Sequence, residues 1–199
     1  WQKRKFQEIA NRQSTKSSST VLPRIHYEDI ISNLGILNKP IDKLQKQNDG
    51  THFNSGDVLY GKLRPYLNNW LLPSFEGVAV GDFWVFSPSI NNSLFLYFLI
   101  QSSKFQSVAN LSTGTKMPRA DWKKVSGSIF EIPTFKEQIQ VGNILKSLDD
   151  LTTLNQRKVD LLKKAKKRCF KICLIKTGDL KDSQTLGRSV VWRPSQNIH

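Results

Sequence analysis

The sequence predicts an α+β fold: a globular, mainly antiparallel β domain with helices, followed by one long α-helix that forms a coiled coil. Short apolar runs between residues 56 and 86 are separated by Gly, Pro and Asp, the pattern of short strands joined by turns. Pro133 closes this region, because proline fixes φ and lacks a backbone donor, so a helix starts after it but does not run through it. Beyond it, apolar residues recur at steps of four and three, the spacing of a coiled-coil seam. The expected organisation is a globular domain over 1–132, a long helix over 133–175 and a flexible tail over 176–199.

Residues 1–24 are polar and basic, with a Ser/Thr-rich stretch over 14–20 that reads as a loop. His26 to Ile31 reads as a short helical turn, and Asn48 to Gly50 as a turn. Gly56-Asp57 turns into a strand over Val58–Tyr60, and Trp70–Leu72, Gly77–Val80 and Phe83–Phe86 are further strands. From Asn92 to Val108 the period changes. Leu94, Phe95, Phe98, Leu99, Phe105 and Val108 recur at three and four, which predicts one helix of about four turns. Residues 112–119 form a polar loop, and Ser128–Ile132 is a last strand. Thr134 followed by Glu137 is a capping box that opens the long helix. Its seam is Ile144, Leu148, Leu151, Asn155, Lys158, Leu162, Ala165, Cys169 and Ile172. Asn155 and Lys158 interrupt it, and a polar seam residue can set register and partner number. A helix this long has more apolar face than a domain of this size covers by itself, so a partner helix is expected.

The 199 residues suit one domain plus an extended element, with 38% hydrophobic residues to build a core. A net charge of +14 and a pI near 9.9 imply an anionic partner, either nucleic acid or a membrane surface. The longest apolar run, Leu94–Ile100, is far shorter than a membrane span, and no apolar segment follows the basic N-terminus as in a signal peptide. The chain opens on Trp1 rather than Met, as a piece of a longer chain would. Cys169 and Cys173 lie four apart with no His or acid cluster beside them. They read as small apolar side chains on a buried helix face rather than a zinc site, and the lack of a disulfide framework fits the cytoplasm.

No catalytic pattern stands out. Thr113-Gly-Thr-Lys116 lacks the first glycine and the final hydroxyl of a phosphate loop, and His26, His52 and His199 are scattered. No cofactor or metal is expected, and a basic chain without a catalytic constellation reads as a binder.

Three segments, in order, carry a resemblance. Gly56-Asp-Val-Leu-Tyr-Gly-Lys-Leu-Arg-Pro-Tyr-Leu67 resembles a GD-[IV]-L-x-x-[KR]-x-R-P segment of type I restriction-modification specificity (S) subunits. Gly114-Thr-Lys-Met-Pro-Arg119 resembles the loop that follows in their target recognition domains. Ile132-Pro133, Glu137-Gln138, Leu145 and Leu148-Asp149 resemble the start of their long helix, whose middle is matched by Gln156-Arg157-Lys158 and Leu161-Leu162-Lys163. Trp1, Arg4 and Lys5 resemble the beginning of such a domain.

The resemblance, over residues 1–175, implies a non-catalytic subunit. An S subunit holds two target recognition domains, each reading half of a split DNA target, and two antiparallel helices that set the gap between the halves. It recruits methyltransferase (M) and restriction (R) subunits. This chain has one domain and one helix, so it is expected to be a half-subunit or a fragment. As a half-subunit it pairs through Ile144–Ile172 into a homodimer that reads a palindromic split target on double-stranded DNA.

The residues expected to reach base edges are Lys62, Arg64, Tyr66, Thr113, Thr115, Lys116 and Arg119, with Lys123 and Lys124 on phosphates. Arg64 has a second reading, a brace pairing with Asp57 or Asp82. The chain as a whole also has one: a basic protein-interaction module that docks acidic partners through its helix.

Overall fold

The structure is a computed structural model that describes residues 1–45, 48–111 and 116–184, with side chains as far as Phe170. The chain begins with β1 (Gln2–Lys5), a single turn α1 (Phe6–Ile9), β2 (Ala10–Gln13), β3 (Lys16–Ser17) and β4 (Arg24–Ile25). A small hairpin of β5 (Ile30–Ile31) and β6 (Ile36–Leu37) follows. Then come β7 (Gly50–Phe53), β8 (Val58–Gly61), β9 (Trp70–Leu71), β10 (Gly77–Ala79) and β11 (Phe83–Pro88). The helices α2 (Ser93–Gln101), α3 (Ser103–Ala109) and α4 (Trp122–Gly127), the strand β12 (Ile129–Ile132) and the helix α5 (Phe135–Gln184) complete it. The fold is α+β, as expected. Its strand pairs are antiparallel except for β10 with β4, among the described residues.

Two four-stranded sheets, β2-β11-β8-β9 and β3-β7-β10-β4, organise the globular unit, which spans Trp1–Asp150. The β2-β11-β8-β9 sheet is covered on both faces, which explains its continuous apolar runs. Side chains alternate along a strand. Val58 and Tyr60 of β8 and Trp84 and Phe86 of β11 enter a core shared with α1 to α4. Leu59, Phe83 and Val85 point the other way, into a second core with Ile25, Phe53 and Ala79 of the other sheet.

The basic N-terminal run also contributes to the core. Phe6 and Ile9 are fully buried, and Phe6 meets Phe86 edge-on at 5.2 Å and Phe130 at 5.8 Å. Arg24 is buried too, its guanidinium donating to the carbonyls of Leu22 and Asn48. Within the 14–20 stretch read as a loop, the structure adds only the two-residue strand β3.

The helix expected over Asn92–Val108 is two helices. Ser102 takes an extended conformation (φ −61°, ψ 147°), and its Oγ accepts from the Phe105 N–H at 3.3 Å, capping α3. Serine favours such caps over helix interiors because its hydroxyl competes for backbone groups. A further helix, α4, has no counterpart in the sequence reading; Asp121 caps it through the Lys123 N–H at 2.9 Å.

The long helix opens as expected after Pro133. The Glu137 carboxylate accepts from both the Thr134 N–H (2.9 Å) and the Thr134 hydroxyl (2.8 Å), which is one half of a capping box. Gln138 is buried: its Oε1 accepts from the Asn92 N–H at 3.0 Å, and its Nε2 donates to the Pro133 carbonyl at 3.1 Å. It thereby joins the first turn of α5 to the N-cap of α2. Val141 packs on the core of the globular unit.

A second unit begins at Leu151, within α5. The helix continues past Ile175 to Gln184, so residues 176–184, read from the sequence as tail, are helical. Residues 185–199 lie outside the described residues. Cys169 is exposed, which corrects its placement on a buried face. The apolar seam positions Ile144, Leu151 and Leu162 are 61%, 56% and 69% exposed, and Leu148, Asn155, Lys158 and Ala165 are exposed as well. Ile172 lies on α5 beyond the described side chains.

Candidate nucleic-acid interface

Two basic segments, far apart in sequence, are laced together at one end of β8. The Ala120 N–H donates to the Lys62 carbonyl at 2.8 Å, the Arg64 N–H to the Pro118 carbonyl at 2.7 Å, and Leu63 bridges Arg119. Residues 62–64 and 118–120 therefore run as a short antiparallel ladder. Lys62, Arg64 and Arg119, proposed from separate motifs, share one site.

Asp82 sits at its centre. Its Oδ2 accepts from Arg119 Nε at 3.1 Å and Nη2 at 2.9 Å, and its Oδ1 lies 3.4 Å from Lys62 Nζ. Partial burial opposes ionisation of this carboxyl. The Arg119 hydrogen bonds and the charges of Lys62 and Arg119 outweigh it and hold Asp82 below the usual carboxylate range. Asp57 instead accepts from the Ser87 hydroxyl and the Asn54 N–H. No ion pair joins Arg64 to either acid among the described residues, so the brace runs through Arg119 and Lys62.

Tyr27 fixes the backbone beneath. Its OH donates to the Asp82 carbonyl at 3.0 Å and accepts from the Leu63 N–H at 2.9 Å. Burial pushes its phenol well above the ordinary value, so the hydroxyl stays protonated as a donor. Gly61 makes room for it: a Cβ there would lie 2.6 Å from the Tyr27 hydroxyl.

After the ladder the chain makes a 3-10 turn over Pro65–Leu67, flanked by Arg64 (φ 49°) and Asn68 (φ 56°), both in the left-handed region. Non-glycine residues held there are strained, and such strain collects at functional loops. Tyr66, at the tip, is 56% exposed. The β5–β6 turn leans on this loop. Asn68 Nδ2 donates to Asn33 Oδ1 at 2.7 Å, and the Asn33 N–H to the Asn68 carbonyl at 3.0 Å.

Lys116 is exposed beside the ladder, whereas Thr113 and Thr115 lie outside the described residues. Lys123 and Lys124 are exposed on α4, and no contact joins them to the Asp82 cluster among the described residues. No group of His, Cys, Asp and Glu is placed to hold a metal among the described residues. No helix searched there is long and apolar enough to cross a membrane.

The family model of the type I restriction modification DNA specificity domain matches residues 1–164. The chain belongs to that family. The family supplies the DNA specificity of type I systems and is not their catalytic part. The type I restriction enzyme EcoDI specificity subunit of Escherichia coli is 22% identical over 96 residues, which cover 48% of this chain and 22% of that protein. The crystal structure of the HsdS subunit from Thermoanaerobacter tengcongensis superposes with a TM-score of 0.61 at 20% identity. It covers 79% of this chain and 44% of its own. A second structure, from work on complex assembly and conformational transition of the type I R-M system, gives a TM-score of 0.63 at 17% identity. It covers 98% and 51%. The chain thus spans about half or less of the length of these relatives, and the structural likeness shows a shared fold.

Within this specificity domain, sequence reading missed Tyr27, Asn33 and Asn68, and named Asp82 only as a partner for Arg64 rather than for Arg119 and Lys62. Gly81-Asp82 reads as a turn in the sequence, and nothing in a turn-forming Asp says which guanidinium it meets. Tyr27 sits in a segment whose only legible feature is a helical turn.

Proposed function

We propose that this chain is a DNA-reading specificity subunit, or half of one, that recognises one half of a bipartite duplex target and is not itself an enzyme. The observation that carries this is the lacing of residues 62–64 to 118–120. It gathers Lys62, Arg64 and Arg119 next to exposed Tyr66 and Lys116 on a braced frame. Lys123 and Lys124 on α4 supply phosphate contacts, and the left-handed Arg64 and Asn68 hold the tip of the recognition loop. Such an arrangement separates positioning from base reading.

On this reading α5 pairs with a second copy through Ile144–Ile172 as a coiled coil, and the resulting two-fold homodimer reads a split palindrome. Methyltransferase and restriction subunits supply the chemistry, and the complex works in the cytoplasm. The family match and the exposed apolar seam support these steps.

A gel-shift series over salt concentration tests the reading. Affinity should fall log-linearly with salt, with a slope of about −0.9 per phosphate contacted. Replacing Lys123 and Lys124 by Ala should weaken all duplexes alike and flatten the slope by about one per lost contact. Absent or salt-insensitive duplex binding would overturn the reading in favour of a basic module that docks acidic proteins.

A further inference from the structure

Arg119 is held in an unusual way for a phosphate contact. Its guanidinium has two usable edges: a side edge of Nε and Nη2, and an end edge of Nη1 and Nη2. Asp82 Oδ2 occupies the side edge, at 3.1 and 2.9 Å. The end edge is left over on a side chain that is 53% exposed. Both partners stand on fixed backbone. The Asp82 carbonyl accepts from the Tyr27 hydroxyl and from the Lys62 N–H at 2.9 Å, and Arg119 is pinned between the Leu63 bridge and the Ala120–Lys62 bond.

A phosphate needs no such brace. Its several oxygens accept a cation from many directions, and a carboxylate at the same spot repels it. With Lys62 and Arg119 sharing Asp82, three charges sum to one positive, a weak phosphate anchor. A base edge has the opposite requirements. In the major groove only guanine offers two adjacent acceptors, O6 and N7, and they match the end edge of a guanidinium held in one orientation.

We propose that Asp82 is a positioning residue that presents the end edge of Arg119 to a guanine, so that a G·C pair belongs to the half-target. This rests on the DNA-reading function proposed above. Lys62, on the other oxygen, keeps the carboxylate in place and ionised.

The test is selection of duplexes from a randomised library by the full chain, as wild type, Arg119→Ala, Arg119→Lys and Asp82→Ala, with sequencing of the bound pool. Wild type should enrich a motif in which one guanine is preferred about tenfold or more over the other bases. Arg119→Ala and Arg119→Lys should both bring that position to near parity and leave the rest of the motif standing. The lysine variant should lose less affinity for unselected duplex than the alanine variant, since it retains the charge but not the fork. Asp82→Ala leaves the backbone contacts of residue 82 in place. It should lower the preference at the same position severalfold, with unchanged or higher affinity for unselected duplex. A uniform loss across the motif in Asp82→Ala, with a lowered melting temperature, would mean a purely structural brace and overturn the inference. So would a motif with no guanine, or one that the Arg119 variants leave unchanged. A wild-type pool with no motif at all overturns the DNA-reading function itself, and the inference with it.

Discussion

Asp82 also ties folding to acidity. Its carboxyl is held low in the folded chain, so the stability it contributes is present above the unfolded Asp value of about 3.9 and is lost as pH falls through the folded value. The side chain keeps 27% of its surface exposed, so the effect is modest, on the order of 1 kcal/mol or less. Urea unfolding of wild type and Asp82→Asn should differ by that amount near neutral pH. The gap should shrink as the pH is lowered below about 4. A gap that widens in acid would contradict the ion pairs seen at Asp82. The basic members of this site were readable as Lys62, Arg64 and Arg119 because they fall in ordered motifs. Asp82 was readable only as one of two candidate acids for Arg64, because nothing in the residues around it encodes its distance from Arg119.

At the scale of single elements, the strands β8 and β11 were the most legible. Both faces of each are buried, so Val58–Tyr60 and Phe83–Phe86 stand out as unbroken apolar runs. The opening of α5 was legible for a different reason, since Thr134, Glu137 and Pro133 each act locally. The turn α1 was not. It buries only Phe6 and Ile9, and two apolar residues in a basic run show no period. The division between α2 and α3 was hidden because Phe105 and Val108 keep the helical spacing across Ser102, and one extended residue decides the break. Gln138 gives an element-level prediction. Gln138→Ala strands the Asn92 N–H and the Pro133 carbonyl at a buried junction, at a cost of about 1–3 kcal/mol. Chemical denaturation should show that loss, and Gln138→Glu should not restore it, because a carboxylate cannot donate to Pro133. A silent Gln138→Ala would mean that the junction is held elsewhere.

The molecule as a whole carries +14 charge and a long helix whose apolar stripe is exposed. If two copies pair along that stripe, multi-angle light scattering at micromolar concentration should give twice the chain mass. Leu151→Glu with Leu162→Glu should return the mass to that of one chain, since buried unpaired carboxylates disfavour the seam. A wild-type monomer under those conditions would remove the homodimer from the proposal while leaving the recognition site untouched. Charge alone was a poor guide here. It pointed to an anionic partner, nucleic acid or a membrane surface, whereas the ladder at residues 62–64 and 118–120 is what concentrates the basic residues on one frame.

The pairing of β1 with β12 puts Gln2 opposite Ile132, just ahead of the first turn of α5. The doorway into the globular fold therefore adjoins the doorway out of it. Closely spaced entry and exit strands are the arrangement a cartridge needs, in which the insert between them is exchanged as one piece. Exchanging residues 6–128 for the corresponding stretch of a related specificity domain should transfer target preference while leaving the long helix intact.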